Sequence, residues 1–106
     1  MAQSEIIKML QRYIAILKEN GVNIQKAFLY GSFARNEQDK NSDIDVMLVS
    51  EQFENNDVEE KVKVWQHRKK VDIRIEPFTI GLKRFFSDND SALVATVKKE
   101  GIEIAI

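Results

Sequence analysis

The sequence contains no cysteine and a single histidine, His67, which removes disulfides, thiol catalysis, Cys/His zinc sites and iron–sulfur clusters together. Any metal it uses must sit on oxygen ligands. Neither sign of charge is in excess: 16 Lys and Arg stand against 17 Asp and Glu, for a formal net charge of −1. Without surplus positive charge there is little drive to displace counterions from a nucleic-acid backbone, so a dedicated DNA or RNA binder is disfavoured. Long apolar runs are missing too. The longest, Tyr13 to Leu17, falls far short of a membrane span, and the opening MAQSEIIKML has neither a basic leader nor an apolar signal core. A cytoplasmic protein without membrane contact is expected. Proline occurs once and glycine four times. No stretch is rich enough in Pro, Ser or Gly to act as a linker, and nothing repeats at a fixed period. One domain over residues 1–106 is expected, too short to carry a separate substrate domain beside a catalytic core. Its 43% apolar and 31% charged residues suit a packed core under a solvated surface.

Helices and strands mix along the chain. Ser4 is a candidate N-cap, and Ile6, Ile7, Leu10, Ile14 and Leu17 recur at steps of three and four until Asn20-Gly21 closes the segment. Ile24 to Tyr30 reads as a strand delivered into the tight turn Gly31-Ser32, with a short helix over Phe33 to Arg35 capped by Asn36, then a polar loop to Ser42. A second strand follows over Asp43 to Val49, in which Asp43, Asp45 and Met47 share one face and Ile44, Val46 and Leu48 the other. Residues 51 to 57 read as loop. Val58, Val62 and Trp65 mark a helix whose apolar stripe is expected in the core, ending in the basic run His67-Arg68-Lys69-Lys70. A third strand is expected from Val71 to Glu76, stopped by Pro77, with Val71, Ile73 and Ile75 inward and Asp72, Arg74 and Glu76 outward. Leu82, Phe85 and Phe86 mark one short helix, Leu93, Val94 and Val97 another, and GIEIAI a closing strand. The class is α/β or α+β, a small mixed sheet flanked by helices.

The chemistry concentrates at Tyr30-Gly31-Ser32, at Asp43-Ile44-Asp45 ten residues further on, and at Val71-Asp72-Ile73. Gly31 permits close backbone approach to a ligand, and the N–H groups of a helix start after it suit an anion. Asp43 and Asp45, two apart on a strand, aim oxygens at one point, where like charges are stable together only around a cation. Mg²⁺ is the natural ion, and a nucleoside triphosphate fits the gap between turn and carboxylates. Glu76 competes with Asp72 for a third place, but four strand residues set the two roughly 13 Å apart, so only one can reach a shared ion. Asp72 is the expected one, with Glu76 paired to a surface Lys or Arg. Arg35 and Lys40 flank the turn and could meet phosphate or solvent. His67 reads as a helix-dipole partner rather than a catalyst, and Phe85-Phe86 as core or a partner face.

Taken together, YGSFARNEQDKNSDIDV and the later VDI resemble the motif of the polymerase-β-like nucleotidyltransferases, in particular the minimal nucleotidyltransferases: an apolar residue, Gly, Gly or Ser, a spacer of about ten, Asp-apolar-Asp, and a third Asp on a later strand. The likeness extends to Ala34-Arg35 and Ser42, covers residues 24 to 76 well and the rest loosely, and departs at Asn36, where the subgroup usually has Gly. Asn is the next best residue for a left-handed cap. The resemblance implies that Gly31 and Ser32, with Ser42 and Arg35 nearby, hold the triphosphate. It implies that Asp43 and Asp45 bind Mg²⁺, one of two ions, and that Asp72 shares a metal and helps deprotonate the attacking hydroxyl. It further implies transfer of a nucleoside monophosphate, AMP from ATP or another NTP, to a hydroxyl of a partner protein. Short members are typically antitoxins paired with a HEPN-domain toxin, one of whose tyrosines they adenylylate. A HEPN-type partner or a homo-oligomer is the expected assembly. The alternatives are a non-catalytic module that neutralises a partner by contact and a small-molecule nucleotidyltransferase.

Overall fold

The computed structural model describes residues 1–55, 58–87 and 91–106. Helix α1 (Gln3–Glu19) follows from the three-and-four spacing of its apolar residues, burying Ile6, Leu10, Tyr13, Ile14 and Leu17. Its N-cap is Ala2 rather than Ser4, because the Glu5 carboxylate accepts the Ala2 N–H at 3.1 Å and closes the first turn one residue pair earlier than expected. Asn20 and Gly21, the latter at φ +86°, turn the chain out of the helix.

Strands β1 (Lys26–Tyr30), β2 (Ile44–Val49), β3 (Ile75–Ile80) and β4 (Ile102–Glu103) form one mixed sheet in the order β3-β2-β1-β4. β2 runs antiparallel to β1 and parallel to β3, and β4 is antiparallel to β1. Helices cover both faces. α1 and α2 (Val58–His67) pack on the side of Leu29, Ile44, Val46, Leu48 and Ile75. α3 (Leu82–Ser87) and α4 (Ala92–Glu100) bring Phe85, Val94 and Val97 onto Phe28, Met47, Val49 and Ile80. The α+β class with a small helix-flanked sheet is therefore the fold. Among the described residues no helix is long and apolar enough to cross a membrane.

Several expected boundaries move. Residues 33–35 form hydrogen-bonded turns instead of a helix, and residues 51–53 form a 3-10 turn that buries Phe53 where loop was expected; residues 56 and 57 of that expected loop lie outside the described residues. The third strand shifts the most. Val71 to Arg74 are taken up in turns, with Asp72 N–H donating to Arg68 C=O at 2.9 Å and Ile75 N–H to Asp72 C=O at 3.1 Å, so pairing begins only at Ile75. It then runs through Pro77, which a sheet edge tolerates because one side of the strand needs no donor. Ile73, expected inward, is exposed. Helix α2 also turns its expected core stripe outward. Val64 is its buried residue, while Val58, Val62 and Trp65 are exposed. The pivot is Tyr13, buried in α1, whose hydroxyl donates to Val64 C=O at 2.5 Å and fixes which side of α2 meets the core.

Candidate active site

One row of residues crosses three strands. In the sheet register Tyr30 of β1 stands beside Asp45 of β2, and Asp45 beside Glu76 of β3. All three lie on the α3/α4 face, but those helices pack at the other end of it, over Val49 and Ile80. The row is left open, with Glu76 exposed and Tyr30 and Asp45 half-buried. Asp43 lies one residue outside β2, exposed, on the same side as Asp45.

The turn after β1 is built around the Asp45 carboxylate. Gly31 adopts φ +77°, and a Cβ there would fall on Asp45 Oδ2 and within 3.2 Å of Cγ. Only glycine combines that conformation with that contact. Gly31 C=O accepts the N–H groups of Ala34 (3.1 Å) and Arg35 (3.2 Å), and Ser32 C=O accepts that of Glu37 (2.9 Å). Asn36 closes the turn at φ 55°, in the left-handed conformation expected of it. The turn is pinned below by Phe33, buried in the core, and from the side by Gln3, whose Nε2 donates to Phe33 C=O at 3.0 Å. The N–H groups of Ser32 and Phe33 make no hydrogen bond among the described residues. Two donors at the start of the turn are thus left without a partner among the described residues, which suits an anion without needing the helix that was expected there.

The electrostatics centre on Asp45. Burial raises its carboxyl above the ordinary carboxylate value, the charges of Asp43 and Glu76 raise it further, and Arg35 lowers it. Tyr30 is pushed up to about 12 by burial and by the same two neighbours, Asp45 and Glu76. The expected third carboxylate sits elsewhere. Asp72 precedes β3 and is engaged with Arg74: Oδ2 accepts from Nη2 at 2.8 Å, and Oδ1 accepts the Arg74 Nε and backbone N–H at 3.1 and 2.8 Å. Those hydrogen bonds hold the Asp72 carboxyl below its ordinary value. Of the other expected positions, Ser42 is turned into its own loop, its Oγ accepting the Asp39 N–H at 3.0 Å, and Arg35 Nε pairs with Glu37 at 3.1 Å on the exposed side of the turn. His67 lies in the last turn of α2, and burial and the charges of Lys70 and Lys63 lower its pKa.

Tyr30 and Gln3 are additions that the sequence reading did not single out as site residues, and Glu76 is one it weighed and set aside in favour of Asp72. The signal for Glu76 was present, because it lies in register with Asp45 once β3 starts at Ile75. A separate cavity of about 590 Å³ lies at the far end of β3, against Thr79, Ile80 and Gly81, away from this row.

Among the described residues no three His, Cys, Asp or Glu side chains are close enough to hold a metal ion unaided. A magnesium ion does not require that. It is commonly held by one or two carboxylates with substrate phosphates and water supplying the rest, and the hard oxygen donors of Asp43 and Asp45, crowded by like charge beside a turn with free N–H groups, fit that kind of site.

The model of the nucleotidyltransferase domain family matches residues 10–102. The fold is similar to the crystal structure of a protein from Sulfolobus solfataricus described as a candidate nucleotidyltransferase, with a TM-score of 0.62 and 15% identity over 95% of this chain and 80% of that one. No curated protein matches the sequence.

Proposed function

The chain belongs to the nucleotidyltransferase domain family, and we propose that it passes a nucleoside monophosphate, AMP from ATP, to a hydroxyl of a partner protein at the Gly31–Asp43–Asp45–Glu76 centre. The observation that carries this reading is the row itself: Asp45 stands between the Gly31 turn and Glu76, so one carboxylate adjoins both the turn and a second acid.

Each residue has a distinct part. The N–H groups of Ser32 and Phe33 receive phosphate oxygens, with Arg35 able to swing from Glu37 towards the same charge. Asp43 and Asp45 would hold Mg²⁺, which when bound neutralises the triphosphate and favours departure of pyrophosphate. Glu76, exposed on the edge strand, takes the proton of the incoming hydroxyl. The hydroxyl oxygen bonds to the α-phosphorus, the bond to the bridging oxygen breaks, and pyrophosphate leaves with the electron pair. Positioning and charge do the work, with no covalent intermediate on the chain. The open β3 side supports an acceptor carried by another macromolecule, for which a helical HEPN-type toxin is the proposed case, in the cytoplasm where NTPs are at hand.

Thermal denaturation with Mg²⁺ and ATP tests this without knowledge of the acceptor. At a hundred times its dissociation constant a ligand stabilises by about 2.7 kcal/mol, so Mg-ATP raises the melting temperature of the native chain, neither Mg²⁺ nor ATP alone does so to the same extent, and the ligand-induced rise is lost in Asp43→Asn and Asp45→Asn. Absence of any Mg-ATP effect on the native chain would leave a binding module in place of an enzyme.

A further inference from the structure

The chain has two tyrosines, and their hydroxyls are placed differently. Tyr13 is fully buried, and its hydroxyl donates to Val64 C=O. Tyr30 is half-buried, and its hydroxyl makes no hydrogen bond among the described residues, although Asp45 stands opposite it in the sheet register. A phenol is neutral at pH 7 and carries one O–H donor, for which a neighbouring carboxylate is a ready acceptor. That bond is not formed. The Asp45 carboxylate lies against Gly31 instead, its Oδ2 where a Cβ of that residue would stand.

The Tyr30 ring is nevertheless held in place. It packs against the cluster of Phe28, Met47, Phe85 and Val97, and β1 fixes its backbone beside β2. An ordered ring with an unused donor is a preformed hydrogen-bonding group, which a ligand does not have to order.

Three donors therefore stand within residues 30–33 without a partner among the described residues: the Tyr30 hydroxyl and the N–H groups of Ser32 and Phe33. Ionised carboxylates only accept, so a ribose hydroxyl finds partners in Asp43, Asp45 and Glu76, and the donors are left for oxygens that cannot donate. Phosphate oxygens are of that kind. The two N–H groups lie past Gly31, whereas Tyr30 belongs to the row itself and adjoins Asp45, the proposed metal ligand.

We propose that the Tyr30 hydroxyl donates to a non-bridging phosphate oxygen of the bound nucleotide, and so extends the Ser32–Phe33 anion site into the carboxylate row. Tyr30 gives up no proton and touches the nucleotide alone. The inference rests on nucleotide binding at the row, as proposed above, and is independent of the acceptor.

Calorimetric titration of native, Tyr30→Phe and Tyr13→Phe chains with two ligands tests it: Mg-ATP, and Mg-tripolyphosphate, which has the phosphates without the nucleoside. Tyr30→Phe removes an oxygen but no hydrogen bond within the chain, so without ligand it melts at or above the native temperature. Its dissociation constant rises roughly tenfold or more, the scale of a hydrogen bond to a charged group, by a similar factor for both ligands. Tyr13→Phe loses its buried bond to Val64, melts lower, and binds both ligands as the native chain does. Equal binding by Tyr30→Phe and a native chain that binds Mg-ATP overturns the role of Tyr30 and leaves the proposed function standing. Weakened Mg-ATP binding with Mg-tripolyphosphate unchanged moves the contact to the nucleoside and overturns the phosphate assignment. A lower melting temperature for unliganded Tyr30→Phe marks a structural hydroxyl and overturns it as well. A native chain that binds neither ligand removes the proposed function and this inference together.

Discussion

Asp45 and Glu76 are neighbours in the parallel register of β2 and β3, and Asp72, four residues before Glu76, is turned away into hydrogen bonds with Arg74. Asp45 therefore carries an unfavourable charge in the folded chain and Asp72 a favourable one, and the two respond to pH in opposite senses.

Burial and the charges of Asp43 and Glu76 raise the Asp45 carboxyl above its unfolded value. The ionised form then costs stability, a cost that sets in as pH rises through the unfolded carboxylate value and is complete above the folded one. Asp45→Asn is expected to melt at a higher temperature than the native chain at neutral pH, the difference closing in acid, while transfer falls by at least a hundredfold. Paired melting curves across pH, without Mg²⁺, check the sign.

Asp72→Asn should do the reverse. Its folded value is depressed by the Arg74 hydrogen bonds, so the stabilisation is present above the unfolded value and disappears as pH falls through the folded one. The variant should lose about 1 kcal/mol at neutral pH, the scale of a hydrogen-bonded ion pair near the surface, and nothing in strong acid. Denaturant titration at both pH values measures it.

Gly31→Ala places a side chain at φ +77° and onto the Asp45 carboxylate. The left-handed conformation alone costs about 1–2 kcal/mol, and Asp45 must move. Stability and Mg-ATP binding should fall together, whereas Asn36→Gly, at φ 55°, should leave binding intact. Thermal shift with and without Mg-ATP separates the two positions.

Gln3 touches no proposed substrate group and acts through the turn, donating to Phe33 C=O at 3.0 Å and Ala34 C=O at 3.4 Å. Gln3→Ala should loosen the Ser32 and Phe33 donors and raise KM for the nucleotide several-fold with a smaller change in kcat. Gln3→Glu cannot donate and should behave like the alanine variant, an outcome that mere loss of packing would not give.

Much of this was legible in the residues. The Gly31-Ser32 turn, the Asp43/Asp45 pair and the alternation through β2 follow from local chemistry, because a left-handed glycine and a period-two strand announce themselves within a few positions. The position of β3 did not. Val71-Asp72-Ile73 alternates as well as Ile75-Glu76-Pro77 does, and Pro77 argues for a strand end unless the strand is known to lie at the sheet edge. That knowledge is tertiary, and with it goes the choice between Asp72 and Glu76. The side of α2 facing the core was hidden for a similar reason. Val58, Val62 and Trp65 form the more regular stripe, but the Tyr13 hydroxyl bonds to Val64 across α1 and α2 and puts that stripe outside.

The most direct measurement compares two conservative variants in one transfer assay. ATP labelled at the α-phosphate is incubated with Mg²⁺, a cell extract as acceptor source, and native, Glu76→Gln or Asp72→Asn chain, and label carried onto protein is counted. The centre described above predicts that Glu76→Gln loses transfer by at least a hundredfold while Asp72→Asn stays within a few-fold of native. Full transfer by Glu76→Gln with loss in Asp72→Asn would contradict it.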